Sequence, residues 1–208
     1  MQAAGIDDVA VVNQAAGGNA VLSGGLGPPL VERYGRDLLG VAGARYALVF
    51  EGVNDIGPAP DDAATQDGIA ADLVEAFRAL AADARDAGFA VVFGATITPF
   101  GGEDQAYSGP ERERARHTVN DWILGAGSDG GGFDAAIHFA AALADSADPS
   151  ILAAEYDGGD HLHPNVAGYQ AIADAFPLDI FEEARYRTVS SLPKSKRRQR
   201  SDRWLFAY

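Results

Sequence analysis

The chain has 208 residues, 47% of them hydrophobic and 22% charged, with a formal net charge of −14 and no cysteine. At roughly 150 residues per domain this is one domain with an appendage, and a chain of this size buries about 70% of its unfolded surface without help from disulfides or a structural metal. The composition excludes a disulfide scaffold, a thiolate zinc site and a cysteine nucleophile, the acid excess argues against a nucleic-acid partner, and no apolar run reaches the roughly 20 residues of a membrane span.

The charge is unevenly spread. Residues 1–181 hold 8 Lys+Arg against 27 Asp+Glu, whereas residues 182–208 hold 8 against 3, and both lysines, Lys194 and Lys196, lie in the second segment. The expected organisation is a domain over 1–181 and a basic, disordered tail over 182–208. The run 194–200 has the composition of an anionic-surface or nuclear-import patch, but an unstructured tail is the simpler reading. Residues 1–8 carry neither a basic n-region nor a long apolar stretch, so no signal peptide is expected.

The body alternates two periodicities. Residues 9–13 form a short β-branched run that reads as a buried strand and ends in a glycine-rich loop. A helix is predicted over 28–39, a second buried strand over 46–50, and a helix over 65–87 with Ile69, Leu73, Phe77 and Leu80 at helical spacing and Gly88 as its stop. A strand over 89–95, a helix over 111–124, a strand over 133–139 and a helix over 164–175 follow. Strands apolar on both faces and separated by helices predict a parallel sheet covered on both sides, and such sheets bind ligands beyond the carboxyl ends of their strands.

Three segments just after predicted elements carry chemistry. The first is Asn13 to Asn19, where glycine lets a ligand oxygen approach a free N–H; taken alone, a turn needing positive φ is the simpler reading. The second is Gly52-Val53-Asn54-Asp55, where an Asn side chain can donate to an anionic oxygen or, alternatively, cap a helix. The third is Asp160-His161-Leu162-His163-Pro164, where Asp three residues before His can orient an imidazole as a general base, a solvated loop being the alternative.

Together and in this order, the three segments resemble the SGNH (GDSL-like) hydrolases, the esterase and lipase family, and within it a secreted microbial branch. The text of residues 94–100 and 168–170 resembles the family too, so the resemblance covers about residues 5–181. It implies a flavodoxin-like α/β/α three-layer sandwich with a parallel sheet, hydrolysis of a carboxylic ester, no cofactor, no metal, a small-molecule ester of an acylated carbohydrate or lipid as partner, and an extracellular location. By motif position it places Gly18 and Asn54 as oxyanion donors, His163 as the base and Asp160 as the acid that orients it.

One block of the family is missing: the sequence has no Gly-Asp-Ser. The expected fold therefore lacks its first strand, which in the family lies between the strand at 9–13 and the strand at 46–50. These two are expected to close up and pair, or to leave the domain marginal. The expectation is an esterase that is inactive or weakly active, shortened at its N-terminus; the alternative is a non-catalytic binding protein for acylated sugar or lipid. Asp157, Asp160, His161 and His163 also have the types of metal ligands, the weaker reading, which would imply metal-dependent phosphoester hydrolysis. His117 reads as a solvated residue, His138 as a satisfied core residue, and Trp122 and Phe133 as core.

Overall fold

The computed structural model describes residues 6, 9–125, 132–181 and 202–207. They form a five-stranded, wholly parallel sheet of β1 (Val9–Asn13), β2 (Ala44–Val49), β3 (Val91–Ala95), β4 (Ala135–Ile137) and β5 (Asp202–Ala207), in the order β1-β5-β2-β3-β4. The helices are α1 (Leu30–Tyr34), which runs on through a π turn over Gly35–Leu39, then α2 (Val53–Ile56), α3 (Ala63–Asp86), α4 (Pro110–Leu124), α5 (Phe139–Leu143) and α6 (Val166–Asp174).

The strand period of two separates the core into two faces. Ala47, Val49 and Val92 pack with Leu73, Phe77 and Leu80 of α3 and Val119 and Ile123 of α4. Tyr46, Leu48, Phe93, Ala95 and Ile137 point the other way, onto Phe139 and Leu143 of α5, Ile172 of α6, Phe176 and Phe181. The result is the expected α/β/α sandwich. No helix among the described residues is long and apolar enough to cross a membrane.

Several details depart from the sequence-based expectation. The strand over 133–139 is only three residues long, because Phe139 already opens α5. His138 therefore stands exposed at the start of that helix and is not a core residue, while Phe133 is buried and Trp122 packs against the same core. The last helix starts at Val166, behind an Asn165 cap that accepts from Gly168 N–H. β1 is an edge strand with no fully buried residue, Val11 being 48% exposed, and not a strand buried on both faces.

The largest departure concerns the sheet. β1 and β2 do not close up on each other: β5 lies between them, parallel to both, with Val9–Asn13 opposite Asp202–Phe206 and Val49 opposite Ala207. The place of the strand expected to be missing is thus taken by residues 202–207, which lie within the segment expected to be a tail. Much of the expected tail, residues 182–201, lies outside the described residues, including the basic run at 194–200. A basic composition argues for disorder, but Trp204-Leu205-Phe206 supplies the apolar and aromatic run that a central strand needs.

Each backbone group stranded by losing a buried ladder costs about 1–3 kcal/mol, against a whole-domain stability of about 5–15 kcal/mol. Ending the chain after residue 201 removes the strand between β1 and β2 and is expected to abolish the cooperative urea transition. An unchanged urea midpoint would show that β5 does not carry the sheet.

Candidate active site

Loop 14–28, which follows β1, is organised around the buried Asn19. Its Nδ2 donates to the carbonyls of Leu26 (3.0 Å) and Pro28 (2.8 Å), and its Oδ1 accepts from Arg33 Nε (2.8 Å). Every hydrogen-bonding position of the side chain except a lone pair is used, so the loop closes on itself. Gly18, just before Asn19, has φ +70°, a conformation that costs glycine nothing, and a Cβ there would meet Leu26 Cδ1 at 2.9 Å. Among the described residues no acceptor takes the Gly18 N–H.

Arg33 is buried on α1. Besides Asn19 it donates to the Gln14 carbonyl (2.9 Å) and pairs with Asp37 (3.3 Å) and, more distantly, Glu51 (3.5 Å). Glu51 sits just after β2 with its side chain almost wholly buried, and burial pushes its carboxyl up to about 8. The Arg33 charge opposes that rise and the neighbouring Asp55 adds to it. Asp37 already balances Arg33, so Glu51 stays protonated at neutral pH.

Asn54 and Asp55 are adjacent on the single turn of α2. Asp55 points inward and accepts from two successive amides of loop 14–28, Val21 N–H (2.9 Å) and Leu22 N–H (2.8 Å). Burial raises the Asp55 carboxyl above the usual carboxylate range, and those two N–H groups offset the rise only in part. Asn54 donates from Nδ2 to the Asn19 carbonyl (3.0 Å) and accepts at Oδ1 from the Tyr107 hydroxyl (3.3 Å). The structure thus brings the Gly18 loop and Asn54 together, through Asn19 and Asp55.

Asp160 and His163 are also paired. Loop 157–164 is closed at its base by Gly158 N–H to the His163 carbonyl (2.8 Å) and Asn165 N–H to the Tyr156 carbonyl (2.7 Å). At its tip Asp160 accepts from Leu162 N–H (3.1 Å), His163 N–H (2.8 Å) and His163 Nδ1 (2.6 Å). Slight burial works the other way, but the His163 contacts and the Leu162 amide hold the Asp160 carboxyl down at about 2. An ionised acceptor fixes the proton of neutral His163 on Nδ1 and leaves Nε2 free to take one. His161 pairs separately with Asp157, Nδ1 to Oδ2 at 2.5 Å, so the two histidines do not share a ligand set. Among the described residues no group of three or more His, Asp and Glu could hold a metal ion.

Among the described residues no direct hydrogen bond joins His163 to Gly18 or Asn54. The two halves meet through loop 101–109, where Tyr107 reaches Asn54 and Gln105 Nε2 donates to the Asp160 carbonyl. Sequence reasoning missed Arg33, Glu51, Gln105 and Tyr107. An Arg at helical spacing reads as solvated, and only its burial marks it; the tyrosine had no motif to point to it.

A sequence model of the GDSL-like Lipase/Acylhydrolase family matches residues 1–171. No curated protein matches the chain. Among solved structures, the acetylxylan esterase Axe2 from Geobacillus stearothermophilus is similar, with 19% identity, 71% of this chain and 64% of that chain covered, and a TM-score of 0.48. LAE5, an alpha/beta hydrolase enzyme from the metagenome of Lake Arreo, Spain, is similar at 18% identity over the same shares, with a TM-score of 0.43. The chain therefore spans just under two thirds of the length of these structures.

The Glu51 carboxyl, raised from 4.5 to about 8 in the folded state, binds its proton more tightly there than in the unfolded chain. Its contribution to stability is whole below pH 4.5 and is lost as pH rises through about 8. Glu51→Gln stays neutral, so its melting temperature relative to the wild type is expected to climb across that window and level off above it. Parallel pH profiles for the two proteins would contradict the buried, protonated Glu51.

Proposed function

The chain belongs to the GDSL-like lipase/acylhydrolase family, and from that premise we propose that it is a carboxylic ester hydrolase of low activity. The observation that carries the reading is the pairing of two preorganised halves: Asn54 Nδ2 held against the Gly18 loop, and His163 held by an ionised Asp160. In this reading the ester carbonyl lies against the Gly18 N–H and the free Asn54 Nδ2 hydrogen. Charge builds on that oxygen as the carbon becomes tetrahedral, and two fixed donors stabilise it without reorganisation.

The sequence has no Gly-Asp-Ser turn to provide an acyl-enzyme route. His163 Nε2 then acts on a water molecule. It takes the proton as the hydroxyl oxygen bonds to the carbonyl carbon, and it returns a proton to the departing alkoxide as the tetrahedral species collapses. Asp160 stabilises the transient imidazolium and keeps its orientation. A site with donors and base but no nucleophile retains roughly 10³-fold to 10⁴-fold acceleration over water. Family membership supports a small ester as the substrate class; the further reading proposed is an acylated carbohydrate or lipid met outside the cell. The missing serine motif also favours a second reading, a binding protein that holds such esters without turnover.

Slow hydrolysis of p-nitrophenyl acetate by the wild type, without labelling by a fluorophosphonate, is the expected result. His163→Ala and Asn54→Ala are each expected to lower the rate by about 10²-fold. Labelling would mean that an activated serine exists and that the water route is wrong. Saturable ester binding with no turnover would establish the second reading in its place.

A further inference from the structure

Loop 101–109 touches both halves of the site, and the contacts are built rather than incidental. The Tyr107 ring lies so close over Gly57, in the turn after α2, that a Cβ at Gly57 would sit 2.1 Å from it. Phe100 meets the same ring edge-on at 6.5 Å. Gln105 accepts from the Tyr107 amide at Oε1 (3.0 Å) and donates from Nε2 to the Asp160 carbonyl. Ser108 Oγ closes the loop by donating to the Gly101 carbonyl (3.1 Å), and Arg112 Nη1 holds the carbonyls of Ala106 (3.1 Å) and Ser108 (3.0 Å). One short loop is thereby anchored to α2 at one end and to the Asp160 turn at the other.

We propose that Tyr107 is a positioning residue that fixes and strengthens the Asn54 carboxamide as a hydrogen-bond donor, and that Gln105 couples this strap to the Asp160–His163 turn. A carboxamide held only at Nδ2 can swing about its terminal torsion, which has a broad energy well. With Nδ2 bound to the Asn19 carbonyl and Oδ1 bound to the Tyr107 hydroxyl, both ends are fixed and one Nδ2 hydrogen is left for a ligand oxygen. Accepting a hydrogen bond at Oδ1 also draws electron density from the amide nitrogen, so its N–H groups become better donors. The Tyr107 ring needs the space that Gly57 leaves open, so the seat for the hydroxyl is part of the fold.

The proposal rests on reading Asn54 as a donor to the substrate oxygen, and its test separates failure of that reading from failure of its own. The variant is Tyr107→Phe, which removes the hydroxyl and keeps the ring in its seat. In protein labelled with ¹⁵N-asparagine, solvent exchange of the Asn54 Nδ2 protons is expected to rise about fivefold, the size of one lost hydrogen bond. The Asn19 Nδ2 protons, held by the Leu26 and Pro28 carbonyls, are an internal control and should not move. Where the wild type hydrolyses p-nitrophenyl acetate, the same variant should lower kcat about fivefold and leave KM unchanged. Where it does not, the hydrolase reading fails and the exchange measurement alone decides on Tyr107. Unchanged exchange at Asn54, an equal rise at Asn19 and Asn54, or a change in KM alone would each overturn the proposal.

Discussion

Two amide hydrogens and one buried carboxylate hold the site together. Val21 and Leu22 lie in a loop with no regular secondary structure, and nothing in their own sequence fixes where that loop sits. Asp55, more than thirty residues away, accepts from both and draws the loop onto the end of β2. Hydrogen bonds to a charged group are worth about 1.5–3 kcal/mol each, and a buried carboxylate stripped of them carries its whole desolvation cost. The same turn of α2 that aims Asp55 inward aims Asn54 at the Asn19 carbonyl. Position and chemistry are therefore coupled: one residue fixes the loop, and its neighbour uses the loop so fixed.

Around that tie the structure adds layers of support. Asn19 and Arg33 brace the loop from behind, with a protonated Glu51 beneath them, while Gln66 Nε2 ties down the far end of α2 through the Ile56 carbonyl (3.1 Å). On the other side of the site, Asp160 gathers three donors from a turn that is closed at its base. The sheet beneath both halves depends on β5, a strand taken from the far end of the chain and slotted between the first two. The groups that would bind an oxyanion and move a proton are thus held by hydrogen bonds in loops and in the single turn of α2, and the serine motif of the family is the part that the sequence does not contain.

Much of this was legible in the sequence because the relevant signals are local. Apolar spacing over Leu73, Phe77 and Leu80 identified α3, and two-sided apolar runs identified β2 and β3. Gly18, Asn54, Asp160 and His163 were legible as chemistry because each sits just beyond an element in a short motif. What was not legible depends on contacts across the chain. Arg33 is indistinguishable from a surface residue until Asn19 is folded against it. Glu51 looks like any charged strand-end residue until burial neutralises it. Tyr107 is defined by the space that Gly57 leaves, fifty residues earlier. β5 was obscured by its neighbourhood, since the basic stretch at 194–200 dominated the reading of the apolar stretch that follows it.

The central claim, that Asp55 holds loop 14–28 in place, is tested most directly by amide hydrogen exchange at Val21 and Leu22. Amides bound to a buried carboxylate in a stably folded site should exchange far more slowly than open loop amides. The account predicts such protection in the wild type and its selective loss in Asp55→Ala, with the amides of β2 and β3 still protected. Val21 and Leu22 exchanging at open-loop rates in the wild type, or staying protected without the carboxylate, would contradict it.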